Sequence, residues 1–278
     1  MILIFAILAA VLSLGGALFG ELGIHLLWQI PLTFIGSFLG FIILHELVFL
    51  IAILIVNTNS DNSKCSKFYR VHTETTLIIL FKILNIHIHT SGLELVPENE
   101  RFLLVSNHTY DFDPAVFMWA MPHSDLGFVG KKEIYTKMVF ISKIMHKLNG
   151  LPIDRENNRN AIETINKAAN FIKNDICSMA IFPEGYVSLT GELLPFRNGS
   201  FKIAKKAKCP IVVATLTDTR IILKNLFRRR TDIYMDVLTV IPTDEVEKLT
   251  TAELSEKIYP IIYDGMQANK EKLTNTAK

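Results

Sequence analysis

No Lys or Arg occurs in the first 56 residues, which carry two acids, Glu21 and Glu46, and are otherwise almost wholly apolar. All 29 basic residues of the 278-residue chain come later, so a net charge of +2 hides a neutral apolar part and a mildly basic remainder. Met1 to Phe19 is an uncharged apolar run. At about 1.5 Å per residue it is long enough for a hydrocarbon core of about 30 Å. It lacks the positive start and the cleavage site of a signal peptide. A second run, Leu26 to Val56, follows the link Gly20 to His25 and exceeds what one upright helix needs, so it tilts or begins near Pro31. The expectation is a transmembrane helical hairpin over residues 1–56. Lys64, Lys67 and Arg70 follow it closely, while the link has neither Lys nor Arg. The chain therefore belongs in the cell membrane, with its ends and its remainder on the cytoplasmic face. Glu46, inside the second run, reads either as a headgroup or oligomer contact or as a carboxyl kept neutral or lying near a helix end.

Asn57 to Ser66 is polar and reads as a linker over 57–66, leaving 67–278 as the second domain. Phe68 to Leu84 suits a helix, either in the core or lying along the membrane with its cations toward headgroups. Ile86-His87-Ile88-His89 alternates as a strand; its histidines have no third ligand at metal-site spacing and read as surface residues. Cys65, Cys177 and Cys209 form no paired motif and read as reduced thiols. Strands near Leu126 to Val129, Leu151 to Ile153, Cys177 to Phe182 and Ile211 to Thr215 then alternate with helices over Glu133 to Leu148, Asn160 to Lys173 and Ser200 to Lys206. That order predicts an α/β sheet covered by helices. Asp232 to Ile241 adds an alternating strand, and Thr250-Thr251-Ala252-Glu253 is a capping box opening a terminal helix, bent or broken at Pro260.

The stretch that carries chemistry is Asn107-His108-Thr109-Tyr110-Asp111-Phe112-Asp113-Pro114, between the strand-like Phe102 to Ser106 and the helix-like Ala115 to Ala120. Pro114 suits a first helical position and Asp113 an N-cap. The Asp113 carboxylate is also placed to accept the Nδ1 proton of His108 and leave Nε2 free to take a proton from a hydroxyl. A His and an Asp at this spacing is a common coincidence, so the pair needs company.

Company is present. Asn107-His108 with Asp113 resembles the first block of the phospholipid/glycerol acyltransferase family. Gly150 to Arg155 resembles its Gly-x-x-x-Asp-Arg block, Phe182-Pro183-Glu184-Gly185 its third, and Phe196-Arg197-Asn198-Gly199 the segment that follows. Cys209 to Val213 resembles the fourth, so the likeness runs over roughly residues 85 to 220. The resemblance implies a mixed sheet covered by helices and acyl transfer from acyl-CoA or acyl carrier protein to the free hydroxyl of 1-acyl-glycerol-3-phosphate, lysophosphatidate, giving phosphatidate. The thioester is a co-substrate, and no cofactor or metal is implied. His108 is then the general base and Asp113 its orienter. Arg155 binds the acceptor, Glu184 orients the glycerol hydroxyl or a basic partner, and Gly185 lets backbone approach substrate. A lysophospholipid acceptor, an acyl thioester donor and membrane lipid are the implied partners.

The chain departs from the pattern at Tyr186-Val187, where the family commonly has Thr-Arg and that Arg is associated with the acceptor phosphate. Lys131 and Lys132 are the preferred substitutes, with Arg155, Arg197 and Lys202 as further sources of charge. Alternatives stay open: another lysophospholipid or a neutral lipid as acceptor, or a lipid-binding protein without turnover. His123-Ser124-Asp125 reads as a loop rather than a triad. The basic run Lys224 to Arg230 reads as a headgroup contact or a solvated loop, and no nucleic-acid recognition motif accompanies it.

Overall fold

The computed structural model describes residues 1–19, 26–154, 156–188, 190–217, 219–226 and 230–276. Two apolar helices come first, α1 (Ile2–Phe19) and α2 (Leu26–Leu54), with Pro31 inside α2 rather than at its start. They pair antiparallel: Phe5 stacks on Phe41 with centroids 6.2 Å apart and meets the His45 ring edge-on. The link 20–25 lies outside the described residues. Gln29–Leu54 is, among the described residues, the one stretch long and apolar enough to cross a membrane. A core helix would bury its apolar stripe, but Ile35, Leu39, Ile43, Leu47 and Ile51 are all exposed.

α3 (Lys67–Ile83) follows the polar segment, which lies against the body of the protein: Asn62 donates to the Gly150 carbonyl, and Asn149 donates to that of Asn62. α3 is a core helix on its inner side, with Leu77 and Phe81 buried. Of the two readings of this helix, Arg70 supports the core one over cations turned to headgroups. Its guanidinium is buried, donates to the Leu126 carbonyl and the Asn149 side chain, and pairs with Asp125 at 3.3 Å. A buried charge is tolerated only with such partners. Glu46 also finds a protein partner, accepting the Thr76 hydroxyl of α3 at 3.0 Å.

The sheet contains β1 (Ile86–Ser91), β2 (Leu103–Val105), β3 (Gly127–Lys131), β4 (Leu151–Ile153), β5 (Met179–Ile181), β6 (Ile211–Leu216) and β7 (Thr231–Ile241), in the spatial order β1-β7-β6-β2-β5-β3-β4. β7 pairs antiparallel with β6 and parallel with β1, while the remaining pairs are parallel, so the sheet is mixed. α4 (Asp113–Ala120), α5 (Lys132–Lys137), α6 (Val139–Lys147), α7 (Asn158–Lys173), α8 (Lys202–Ala207), α9 (Ile221–Asn225), α10 (Thr243–Lys248) and α11 (Thr251–Thr276) complete the chain. Helices on both faces explain the unbroken apolar strands. Leu103 and Val105 enter one core with Ile211 and Val213, and Leu104 enters the other with Val212 and Ala214. Each Leu, Ile or Val among them contributes about 1.5–3 kcal/mol when taken from water, which favours apolar residues on both faces.

Two helices differ from expectation. The expected helix over Glu133 to Leu148 is two helices, α5 and α6, broken at Met138. Tyr135 of α5 packs on Gly150: a Cβ there would lie 2.6 Å from its hydroxyl oxygen and 2.8 Å from the Met145 carbonyl oxygen, so only glycine fits. α11 runs unbroken through Pro260. Leu254, Ile258, Ile262 and Met266, on either side of it at helical spacing, are all in the core and offset the lost hydrogen bond. The capping box forms, Thr250 N donating to Glu253 and Glu253 N to the Thr250 hydroxyl.

Candidate active site

β2 is flanked by β6 and β5, in parallel register, with Val105 opposite Val213 on one side and Ile181 on the other. Whatever follows these three strands therefore meets at one sheet edge, where open α/β sheets place ligands. Asn107 carries the β2–β6 ladder past its end, its side chain donating to the Leu216 carbonyl at 2.9 Å and accepting from the Leu216 amide at 2.8 Å. His108 is thereby fixed at the rim.

The His108 ring stacks on Phe182, centroids 4.2 Å apart and planes 7° from parallel. Its Nδ1 lies 2.9 Å from Asp113 Oδ2, with 12% of the His108 side chain exposed and none of Asp113. Asp113 is not an N-cap. It is the first residue of α4, and its carboxylate turns back over the preceding loop. Oδ2 accepts from the Thr109 amide at 2.6 Å and the Tyr110 amide at 3.0 Å as well as from His108. Oδ1 accepts the Thr109 hydroxyl at 2.9 Å and the Thr219 hydroxyl at 2.5 Å. With five donors converging, the carboxylate has no hydrogen to give, so the His108 hydrogen sits on Nδ1. Nε2, which makes no hydrogen bond among the described residues, is a bare acceptor at the rim.

Glu184 arrives from β5. One oxygen accepts the His108 amide at 2.6 Å and the other the Leu194 amide at 2.9 Å. Both oxygens are thus turned to backbone, tying the His108 loop to the 182–197 segment. Gly185 makes the turn there, at a φ of 77° that glycine adopts without strain.

The Tyr186 ring gathers two cations, with Lys131 Nζ 5.4 Å and Arg197 Cζ 5.1 Å from its centroid. Lys132 instead pairs with Asp154 at 3.3 Å. Arg155 lies outside the described residues. An apolar cavity of about 210 Å3, bounded by Val129, Ile153, Ile165, Ile181 and Phe182, opens beside Gly185 and Arg197.

A family model described as Acyltransferase matches residues 87–217, from β1 to the end of β6. The chain is 32% identical over 182 residues to the 1-acyl-sn-glycerol-3-phosphate acyltransferase of Cocos nucifera, spanning 65% of this chain and 58% of that one. It is 28% identical over 171 residues to the protein of the same name from Saccharomyces cerevisiae, spanning 60% and 55%. Residues 87–217 thus carry the match to the acyltransferase family, and both relatives are named as acyltransferases. The chain covers less than two thirds of the length of these relatives. The crystal structure of the 1-acyl-sn-glycerophosphate (LPA) acyltransferase PlsC from Thermotoga maritima aligns over 97% of this chain and 98% of that one, with a TM-score of 0.62 at 18% identity. That likeness is one of fold.

Within the family framework, the residues that sequence reasoning missed are those that arrive from far along the chain. Thr219 supplies the fifth donor to Asp113 from beyond β6, and the Leu216 backbone at the end of β6 holds the loop through Asn107. A Thr following an apolar strand is the one signal either left.

Burial pushes the Glu184 carboxyl up to about 7, against the pull of the Leu194 and His108 amides. Its folded value lies above its unfolded value, so the stability it contributes is present below the unfolded value near 4.5 and is lost as pH rises through about 7. The loss is at most about 3 kcal/mol. Glu184→Gln is expected to flatten the fall in melting temperature between pH 5 and 8, a range set by the shift and read by calorimetry. It is also expected to lower the melting temperature at pH 5, because one backbone amide loses its acceptor. A parent and a variant with parallel pH profiles would show that Glu184 does not titrate in this window.

Proposed function

We propose that this chain moves an acyl group from an acyl-CoA or acyl-carrier-protein thioester to the free hydroxyl of lysophosphatidate, giving phosphatidate. The observation that carries this reading is the bare Nε2 of His108, held at the sheet's rim by the five-donor carboxylate of Asp113. His108 Nε2 takes the hydroxyl proton as the oxygen attacks the thioester carbonyl. The tetrahedral intermediate then collapses, the C–S bond breaks, and the sulfur leaves as a thiol with the proton from His108. No acyl-enzyme is needed.

Lys131 and Arg197, drawn together by Tyr186, bind the acceptor phosphate where the family's Thr-Arg is absent, and Arg155 is expected to join them. The apolar cavity beside Arg197 suits a substrate with both a charged and a greasy end. The relatives named for 1-acyl-sn-glycerol-3-phosphate support the acceptor, and the exposed apolar stripe of α2 supports a lipid setting. On this reading residues 1–56 form a membrane hairpin, 57–66 a linker, and 67–278 a catalytic domain at the cytoplasmic face. Tyr186-Val187 favours a second reading, in which the acceptor is another lysophospholipid or a neutral lipid.

Purified protein in detergent, offered a long-chain acyl thioester with lysophosphatidate, a zwitterionic lysophospholipid and a monoacylglycerol in parallel, separates the readings. Turnover of lysophosphatidate is expected. Lys131→Ala or Arg197→Ala is expected to raise its KM about 10- to 100-fold with kcat nearly kept, the worth of one charge-assisted hydrogen bond. Turnover confined to the monoacylglycerol would move the assignment to a neutral acceptor.

A further inference from the structure

The chain leaves β3 at Lys131, runs through α5, breaks at Met138 and enters α6. At that corner Met138, Val139, Phe140 and Ile141 are all exposed, Val139 to 66%. Apolar side chains standing singly on a surface need no explanation, but four in succession, at a helix break, mark a surface that something covers.

The position of the corner identifies the cover. Lys143 of α6 donates to the carbonyl of Leu54, the last residue of α2. That carbonyl has no partner within its own helix, so α6 is docked on the C-terminal end of the membrane helix. The end of α2 is itself exposed and apolar, with Ile51 and Leu54 on its surface and the adjoining Ile55 77% exposed. The two apolar surfaces thus lie at one end of one helix pair. The charges agree: α5 and α6 carry Lys132, Lys137, Lys143 and Lys147 against the single acid Glu133, a balance that favours anionic headgroups.

We propose that the Met138–Ile141 corner inserts into the bilayer surface at the C-terminal end of α2. It seats the substrate-bearing rim of the sheet on the lipid, because Lys131 lies one short helix away. A lipid acceptor then reaches His108 without crossing water. The consequence for turnover rests on the proposed function; the insertion does not.

The full chain is reconstituted in vesicles of phosphatidylcholine and phosphatidylglycerol as parent and Phe140→Trp, the parent serving to subtract the emission of Trp28 and Trp119. The added emission is expected to be quenched by lipids brominated in the upper acyl chain. Emission that stays unquenched while the protein is vesicle-bound overturns the proposal, whether water or a second copy of the chain is found to cover the corner. A Val139→Glu/Phe140→Glu variant with parent-like melting temperature is expected to raise KM for long-chain lysophosphatidate in vesicles at least tenfold. It is expected to leave kcat/KM for a water-soluble short-chain lysophosphatidate within twofold. Equal losses on both acceptors overturn the proposal. If the parent turns over neither acceptor while quenching is seen, insertion stands and the proposed acceptor falls.

Discussion

His108→Ala is expected to lower kcat for acyl transfer a hundredfold to ten-thousandfold, the usual worth of a positioned general base, while leaving the protein folded. The two halves of that result have separate causes. On the proposed mechanism catalysis needs Nε2, which makes no hydrogen bond among the described residues. Folding needs mainly the His108 backbone, whose amide is held by Glu184 and whose carbonyl accepts the Ser188 amide. Truncation forfeits the stack on Phe182, worth about 0.5–1.5 kcal/mol beyond area burial, and leaves the loop tied. Melting temperature, circular dichroism and acceptor KM should therefore stay near the parent's as kcat collapses. A variant that kept the parent's kcat would remove His108 from the chemistry whatever its geometry.

How far the sequence reveals such a site depends on sequence separation. His108 and Asp113 are five residues apart, so their meeting is a local matter of one turn, and the pair is legible. Strands β2, β5 and β6 are legible because both faces are covered, which turns a tertiary fact into an apolar run. Thr219 lies 106 residues from Asp113, and only the order β6-β2-β5 brings it there. Strand order is set by packing that no short window records. Arg70 misleads for a related reason. A basic residue beside an apolar helix reads as a surface cation, and its burial depends on Asp125, Leu126 and Asn149, which other elements supply. The break at Met138 has no Gly or Pro to announce it. Tyr135, just before it, packs against Gly130 and Gly150, contacts that no local pattern announces.

Asp113→Asn and Asp113→Ala should separate what the carboxylate does for structure from what it does for the base. Asparagine has one acceptor oxygen where five donors converge. The Thr109 and Tyr110 amides cannot turn away, whereas the Thr109 and Thr219 hydroxyls can rotate to accept. The Asn oxygen therefore faces the amides and His108, its amino group faces the hydroxyls, and folding stability falls by only about 1–3 kcal/mol. The imidazolium formed when Nε2 takes the proton nevertheless loses its counter-charge, so kcat is expected to fall by a hundredfold or more, in line with the role of a triad carboxylate. Alanine leaves one buried and one part-buried amide without an acceptor and should cost about 2–5 kcal/mol, a large part of the 5–15 kcal/mol typical of a folded domain. The decisive measurement is the cycle with His108→Ala. If Asp113 acts through the ring, adding Asp113→Asn to a chain already lacking His108 changes the residual kcat less than threefold. A further hundredfold loss in that background would mean that the carboxylate works on the substrate by a route of its own.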